Sequence, residues 1–210
     1  MRPLKHIVFL LLLGSAATEA RSQGADTARV VSPQGLADML LEYMQARYPA
    51  APSEGCLLYV AVRRQRMYYV VDGVMRNAYV ISTSRNGLGG GQDSECTPEG
   101  LHRVSEKIGA AVPPFGILQG RQFTGAIAGP DGTDDDLITS RILWLDGMEP
   151  GVNKGGGVDS RGRGIYIHGT DDEASLGRPS SHGCIRMRHA DIIALFDQVP
   201  IGTLVVVLDN

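Results

Sequence analysis

The sequence predicts a mainly β domain with a few helices. Short segments rich in Val, Leu and Tyr, which are typical of strands, recur along the chain. An Asp72-Gly73 pair separates two of these segments, and this dipeptide is a strong signal for a two-residue hairpin turn. The chain also holds 27 Gly and 11 Pro, which suit strands and loops better than long helices. Its length of 210 residues predicts one main domain.

The segment 1–20 has the features of a secretory signal peptide. Arg2 and Lys5 provide a positive start, and the apolar run 7–13 is shorter than the ~20 residues that a membrane-spanning helix needs. Small residues follow and offer a cleavage site up to Ala20. We therefore expect export to the periplasm or cell envelope, with no stable membrane insertion after cleavage. An uncleaved N-terminal anchor is the alternative.

The segment 21–55 predicts an N-terminal extension with one helix, ahead of a catalytic domain at 56–210. Ser32 is a suitable helix cap and Pro33 a suitable first helical residue, whereas the prolines within 49–52 end the helix. We expect the helix to pack against the domain rather than to dock a partner. Its apolar face has helical spacing and comprises Leu36, Met39, Leu40, Tyr43 and Met44.

The remaining elements follow from local patterns along the chain. Strands are predicted at 57–62, 67–71, 74–82, 100–108, 138–145, 165–168 and 204–208, and a second helix at 190–199. The Gly-rich segment 86–91 is either a substrate flap or a plain linker. The stretch 109–136 has weak periodicity, so we expect an irregular insertion at the edge of a substrate cleft. Trp144, the only Trp, is expected in the core rather than in a substrate stack.

The balance of charge argues against one class of partner. The formal net charge is -3, and no dense run of Lys and Arg is present. Proteins that bind nucleic acid carry basic patches, so no nucleic-acid partner is expected. We expect a monomer that needs neither a cofactor nor a metal.

The stretch 180–187 and the segment just upstream of it hold the residue types that acyl transfer through a thioester requires. Cys184 is the candidate nucleophile, but a free thiol with a pKa near ~8.5 is mostly protonated at neutral pH. An imidazole can take the proton or stabilise the thiolate as an ion pair, and His168 and His182 are the candidates. In an extended strand, His182 and Cys184 would point to the same side.

The neighbouring residues predict the rest of the site. The backbone N–H groups of Gly183 and Cys184 are candidates for an oxyanion hole. Arg186 has a guanidinium fork that suits a substrate carboxylate, and Ser181 is a candidate substrate contact. The period-two alternation at 165–168 places Tyr166 and His168 towards the cleft and the two flanking isoleucines towards the core.

This pattern resembles the catalytic motif of L,D-transpeptidases of the YkuD type. That motif is a His, a short interval, then Ser/Thr-His-Gly-Cys, a hydrophobic residue and Asn or Arg. Here His168 precedes the segment 181–186, and the earlier turn 97–100 (Thr-Pro-Glu-Gly) is also typical of the family. The resemblance implies a β-rich sandwich in which Cys184 is the nucleophile and His168 the base. It also implies that the carbonyl of Gly169 orients the imidazole, that His182 supports it, and that Arg186 lies near the charged end of the substrate.

The resemblance further implies a role in peptidoglycan synthesis, cell-wall organisation and cell shape. The substrate would be a peptidoglycan stem peptide, with Cys184 attacking the bond between the L-centre of diaminopimelate and the terminal D-Ala. D-Ala would leave, and an amine of another stem would take the acyl group. If water took it instead, the protein would be an L,D-carboxypeptidase, and the motif does not separate these outcomes.

Other interpretations are weaker. His168, His182 and Cys184 are zinc-ligand residue types, but no Cys-x-x-Cys pair or His-Glu-x-x-His helix accompanies them; activity that is sensitive to chelators would favour zinc. A non-catalytic wall-binding protein would not need the thiol, the imidazole and the guanidinium together. NlpC/P60-type peptidases have the Cys before the His, and sortases space the two residues more widely.

Two cysteines remain if Cys184 is the working thiol. An odd cysteine count in an exported protein predicts either a free thiol or pairing between molecules. Cys56 and Cys96 therefore form a disulfide or stay as two free thiols, and both possibilities are open.

Overall fold

The computed structural model describes residues 32–129 and 136–210, so the predicted signal peptide at 1–20 lies outside the described residues. Within those ranges, neither helix has the length and apolarity that crossing a bilayer requires. The helices are α1 (Pro33–Arg47) and α2 (His189–Gln198). The strands are β1 (Cys56–Ala61), β2 (Arg66–Val71), β3 (Val74–Ser82), β4 (Gly100–Ile108), β5 (Gly116–Gln119), β6 (Gln122–Ile127), β7 (Thr139–Gly147), β8 (Tyr166–Gly169), β9 (Ile185–Met187) and β10 (Leu204–Leu208).

The described strands form one sheet that closes on itself. Their order is β4-β10-β1-β2-β3-β9-β8-β7-β5-β6, and β4 also pairs with β7. The pairs β1–β10 and β8–β9 are parallel, while the other neighbouring pairs are antiparallel. The predicted β-rich fold with few helices and one N-terminal helix is confirmed, and the sandwich takes the form of a barrel-like sheet. Closure leaves fewer unpaired edges.

The turn between β2 and β3 has the geometry that its sequence predicts. Asp72 and Gly73 have φ values of +48° and +76°, as a two-residue type I′ turn requires. Val71 and Val74 are therefore register partners at the end of the hairpin. Glycine adopts positive φ without steric cost, which explains its place in this turn.

The main core lies inside the closed sheet and is completed by α2. Ile192 and Leu195 of α2 are fully buried there, in contact with the inward faces of the strands. The strand side chains of this core include Leu58, Val60, Met67, Ile81, Val104, Leu143, Leu145, Ile167, Ile185, Met187, Val205 and Val207. Each large aliphatic side chain that is buried in this way contributes about 1.5–3 kcal/mol to folding.

α1 covers the outer side of the sheet. Its cap is as predicted, because the Ser32 hydroxyl accepts a hydrogen bond from the Gly35 N–H at 3.0 Å. Of the predicted apolar face, Leu40 and Met44 are buried and Leu36 and Tyr43 are partly buried, whereas Met39 is 58% exposed and Ala37 is fully buried. Ala37, Leu40 and Met44 belong to a second apolar cluster with residues of β1 and β10.

The C-terminal end of α1 is tied to the sheet by a partly buried carboxylate. Glu149 accepts hydrogen bonds from Arg47 at 2.9 Å, from the Tyr48 hydroxyl at 2.8 Å and from the Leu101 N–H at 2.7 Å. Charge-assisted hydrogen bonds of this kind are stronger than neutral ones. Together with the apolar cluster, they make α1 part of the folded domain.

One expectation about local structure is wrong. The stretch 109–136, expected to be irregular, contains the hairpin β5–β6. All six residues of β6 are exposed, so the strand has no apolar alternation that a sequence pattern can reveal.

A second histidine outside the motif lies inside the fold. His102 is fully buried and contacts the Gly100 carbonyl and the Ser160 hydroxyl. Burial lowers the pKa of His102 to about 4, so its ring is neutral at physiological pH.

The packing of α1 predicts a contrast between two adjacent residues. Leu40→Ala should lower the free energy of unfolding by about 2–4 kcal/mol, since Leu40 is 4% exposed and its truncation leaves a cavity. Met39→Ala is the matched control and should change it by less than about 0.5 kcal/mol. Urea unfolding followed by circular dichroism measures both. Equal effects of the two substitutions would contradict this packing.

Candidate active site

Two neighbouring strands carry the residues to which the sequence assigns catalysis. β8 and β9 pair in parallel, with Ile167 opposite Ile185 and His168 opposite Arg186. Such partners share a face of the sheet, and side chains alternate along each strand. Ile167 and Ile185 are fully buried in the main core, so His168 and Arg186 lie on the other face. Cys184 immediately precedes β9 and packs against the apolar cluster of that other face.

A tight loop brings Cys184 to this face. The expectation of an extended segment through 182–184 is wrong, because Gly183 has φ +126° and β9 begins only at Ile185. The Ser181 hydroxyl donates to the Cys184 carbonyl at 2.6 Å and accepts from the Gly183 N–H at 3.2 Å. Ser181 is fully buried, which indicates a structural role for its hydroxyl. A contact between Ser181 and substrate stays a prediction.

The His168 ring is oriented by the backbone of the next residue. Its Nδ1 lies 2.9 Å from the Gly169 carbonyl oxygen. Because a carbonyl only accepts, Nδ1 carries the proton and Nε2 keeps its lone pair. Burial lowers the pKa of His168, and the Asp136 carboxylate and the Gly169 hydrogen bond only partly offset this. The ring is therefore a neutral base at physiological pH.

The Cys184 sulfur is held between two backbone groups. The Tyr166 N–H donates to Sγ at 3.4 Å, and the thiol donates to the Gly164 carbonyl at 3.5 Å. Burial raises the pKa of the Cys184 thiol to about 12, while the Tyr166 hydrogen bond and the nearby Arg163 lower it by a smaller amount. The thiol is consequently protonated at neutral pH.

The thiol and the imidazole therefore rest as a neutral pair. Neither of the two sulfur contacts above is with His168, although both side chains lie on one sheet face. Hydrogen bonds between catalytic groups are often long in a substrate-free site and tighten when substrate binds. In residues 32–129 and 136–210, no three His, Cys, Asp or Glu side chains are arranged to hold a metal ion.

Asp136 links the second histidine to the arginine of the motif. Its Oδ2 accepts hydrogen bonds from the His182 N–H at 3.0 Å and from His182 Nδ1 at 2.9 Å. Its Oδ1 accepts from Arg186 at 3.0 Å. Burial alone would raise the pKa of Asp136, but its electrostatic interactions with His168 and Arg186 and the hydrogen bonds from His182 bring it below its ordinary value. The sequence offers no motif for Asp136, which was missed.

Arg186 is nearly sealed from solvent, with its side chain 3% exposed. Besides Asp136, its guanidinium contacts the hydroxyls of Ser82, Ser175 and Ser180. A carboxylate of the chain itself thus occupies the fork to which the sequence assigns a substrate carboxylate. The substrate contact of Arg186 stays a prediction, while its contacts here indicate that it organises the site.

One predicted oxyanion donor is engaged inside the loop. The Gly183 N–H donates to Ser181, as described above, and a Cβ at Gly183 would lie 3.3 Å from the Cys96 carbonyl oxygen. Glycine therefore allows two backbone segments to approach closely at this point. The role of the Cys184 N–H in an oxyanion hole stays a prediction.

Arg163 fastens the Gly-rich segment 86–91 beside the site. Its guanidinium donates to the carbonyls of Gly89, Gly90 and Cys96. The Thr97 hydroxyl, which follows this segment, donates to the Gly183 carbonyl at 3.0 Å. The segment is therefore tied to the loop that carries Cys184. The sequence contains no motif that predicts this role of Arg163.

The three cysteines are free thiols in the structure. Cys56 lies 3.6 Å from the Tyr69 hydroxyl, and Cys96 lies 3.4 Å from the Asn86 carbonyl. Each sulfur therefore has a different local partner, and of the two open possibilities the structure has the free thiols rather than the Cys56–Cys96 disulfide.

Tyr166 and Trp144 are register partners on the face of the thiol. Tyr166 is buried at 8% exposure, and its ring meets Trp144 edge-on with centroids 5.6 Å apart. Trp144 is half-buried rather than enclosed in the core. Its indole N–H donates to the Arg161 carbonyl at 3.2 Å.

The fold and these side chains define a β-rich protein with a thiol and an imidazole on one face of a closed sheet. The model of the YkuD family, described as an L,D-transpeptidase catalytic domain, matches residues 57–207. The chain belongs to this family. Membership supports an enzyme of the transpeptidase type.

Individual relatives carry similar names. The chain is 29% identical over 149 residues to the putative L,D-transpeptidase YqjB of Bacillus subtilis. The aligned region covers 70% of this chain and 68% of the relative. It is 50% identical over 49 residues to the probable L,D-transpeptidase ErfK/SrfK of Salmonella typhimurium, covering 23% and 16% of the two chains. A solved L,D-transpeptidase of Mycobacterium tuberculosis matches with 16% identity and a TM-score of 0.48. That match covers 74% of this chain and 58% of the mycobacterial one.

The protonated state of Cys184 predicts slow alkylation. With a thiol pKa of about 12, its thiolate fraction at pH 8 is about three orders of magnitude below that of an unfolded cysteine. The iodoacetamide reaction rate of Cys184, followed by peptide mass spectrometry, should therefore keep rising with pH well above pH 9. The urea-unfolded chain is the control. A fast, pH-independent reaction near pH 7 would instead indicate a thiolate–imidazolium pair.

Asp136 predicts the direction in which the His168 titration moves. Because the Asp136 carboxylate raises the pKa of His168, Asp136→Asn should shift that pKa further down, as NMR titration of the imidazole would measure. The variant should also lose about 3 kcal/mol of stability, since the buried Arg186 loses the nearer of its two carboxylate partners. Asp38→Asn, on exposed α1, is the matched control. An unchanged His168 pKa in Asp136→Asn would contradict this electrostatic coupling.

Proposed function

We propose that this protein is a peptidoglycan L,D-transpeptidase that acts through a thioester on Cys184. The single observation that carries the proposal is that Cys184, which immediately precedes β9, and His168 of β8 lie on the same face of the sheet. His168 is neutral, oriented through Nδ1 and able to accept a proton at Nε2. Family membership supports the reaction type.

The first half-reaction acylates the enzyme. The Cys184 sulfur attacks the carbonyl carbon at the L-centre of diaminopimelate in a tetrapeptide stem while its proton passes to Nε2 of His168. A C–S bond forms, the C–N bond to D-Ala breaks, and the leaving amine takes the proton from His168. The thiolate would form only during the attack, which is consistent with a thiol that is protonated in the resting protein.

The second half-reaction transfers the acyl group. An amine of another stem attacks the thioester carbonyl and gives one proton to His168. A C–N bond forms, the C–S bond breaks, and the departing sulfur recovers the proton. Amines attack thioesters more readily than water does, so we propose transfer rather than hydrolysis to an L,D-carboxypeptidase.

The place of action follows from the substrate. Peptidoglycan lies outside the cytoplasm, and the segment 1–20 has the features of a signal peptide. We therefore propose export to the periplasm or cell envelope, where the chain acts as a monomer on stem peptides.

Incubation of the protein with a disaccharide-tetrapeptide, followed by mass spectrometry, tests this function. We expect a cross-linked dimer with loss of D-Ala. Cys184→Ala should reduce product below about a thousandth, because the nucleophile is lost, while its circular dichroism spectrum stays unchanged. Cys56→Ala, which removes a different thiol, is the matched control and should keep activity. Tripeptide without dimer would establish the hydrolase, and no reaction of the unsubstituted protein would sink the proposal.

A further inference from the structure

Trp144 on β7 is stacked between two arginines. The Arg121 guanidinium lies 4.4 Å from the centroid of the Trp144 ring, and that of Arg161 lies 4.2 Å from it. A guanidinium over an indole face is attracted by the negative charge density of the ring. The stack lies on the face of the sheet that carries Cys184, since Trp144 and Cys184 pack against the same apolar cluster.

The two arginines of the stack differ in their charge partners. Arg161 forms an ion pair with Glu106 at 3.2 Å and also contacts the Ser105 hydroxyl. Arg121 is exposed, and it donates a hydrogen bond to the Tyr166 hydroxyl at 3.4 Å. Within residues 32–129 and 136–210, no carboxylate lies within ion-pairing distance of Arg121. Among the described residues, a ligand carboxylate therefore meets no competing carboxylate at Arg121.

The backbone at Arg121 holds this cation in place. Gly120 and Arg121 form the turn between β5 and β6, with φ values of +56° and +67°. A two-residue turn with both residues at positive φ matches the twist of a hairpin. Positive φ is uncommon for a long side chain such as arginine. The short turn and the stack on Trp144 restrict the guanidinium before any ligand arrives.

A single tyrosine connects Arg121 to the nucleophile. The Tyr166 hydroxyl accepts from Arg121, and the Tyr166 N–H donates to the Cys184 sulfur at 3.4 Å. A peptide whose reacting carbonyl meets Cys184 carries its next groups within about 3.3–3.6 Å per residue. A carboxylate one or two residues from that carbonyl spans a length comparable with the single tyrosine that joins the Cys184 sulfur to Arg121.

Arg186, the arginine of the motif, is already engaged. Asp136 occupies the fork of Arg186, whose side chain is 3% exposed. Breaking a buried ion pair of this kind costs about 3–5 kcal/mol. A substrate carboxylate would have to displace Asp136 from Arg186, whereas it meets no such competitor among the described residues at Arg121.

We propose that Arg121, held by Trp144 and Tyr166, forms a subsite for a carboxylate of the donor peptide. The subsite makes Arg121 a specificity-determining residue and rests on the proposed function for the identity of the peptide. The carboxylate is either the C-terminal one of D-Ala or the one at the D-centre of diaminopimelate. Both offer the same planar acceptor, which suits the guanidinium fork.

Trp144 provides a direct optical test, because it is the only tryptophan in the chain. The full chain with Cys184→Ala is titrated with tetrapeptide in which both carboxylates are free, or with one or the other amidated. We expect a saturable change in Trp144 fluorescence and about tenfold weaker binding for one of the two amidated peptides, as loss of a charged hydrogen bond predicts. The amidated peptide that binds more weakly identifies the carboxylate that Arg121 contacts.

Substitutions of Arg121 and Arg161 distinguish a role in peptide binding from a purely structural role. Arg121→Gln should remove the discrimination between the free and the amidated peptide, and Arg121→Lys should keep most of it. Arg161→Gln also removes a guanidinium from Trp144, but one that is paired with Glu106, so it should leave the discrimination intact. If Arg121→Gln weakened all three peptides by the same factor, Arg121 would only support the hairpin and the subsite would be refuted.

The test also separates this subsite from the proposed function. Equal binding of all three peptides, or no fluorescence change with any of them, refutes the subsite, whatever the unsubstituted protein does to the tetrapeptide. Binding that depends on one carboxylate and on Arg121 supports the subsite even if no D-Ala is released, and the missing release then refutes the transpeptidase.

Discussion

The parallel pairing of β8 with β9 is the constraint on which the site depends. The pairing sets His168 opposite Arg186 and buries Ile167 and Ile185 behind them. A slip of one residue would turn every side chain of β9 to the opposite face and would place Arg186 in the core. The slipped register is unfavourable because it would bury the Arg186 charge and expose two isoleucines that are now buried. The buried isoleucines of these strands thereby hold His168 and Arg186 on the opposite face of the sheet.

Electrostatics divides the site into two parts. Cys184 is half-buried and His168 is buried, and both are neutral because burial raises the pKa of the thiol and lowers the pKa of the imidazole. Nearby, Asp136 and Arg186 form an ion pair, with Asp172 3.9 Å from the same guanidinium. The neutral part is the proposed site of proton transfer, whereas the charged part fixes the geometry of the loop that carries Cys184. The exposed cation Arg121, on a separate hairpin, belongs to neither part.

Much of the site was predictable because the motif is local in sequence. Cys184, His182 and Arg186 lie within five consecutive residues, and the β2–β3 turn follows from one dipeptide. Asp136 was not predictable: it lies 46 residues from His182 and 50 from Arg186, and no pattern ties it to either. β6 was missed because an exposed strand lacks alternation. Met39 alone was wrongly assigned to the buried face of α1, because Met39 and Ala37 both fit helical spacing and only packing against the sheet selects Ala37.

Burial of the Cys184 sulfur also bears on its chemical survival. Peroxides and disulfides react with the thiolate rather than with the thiol. A sulfur that stays protonated until a peptide is in place presents almost none of the oxidisable species to its surroundings. In the proposed function the protein works in an oxidising compartment, where the high proton affinity of the Cys184 sulfur limits its oxidation between turnovers.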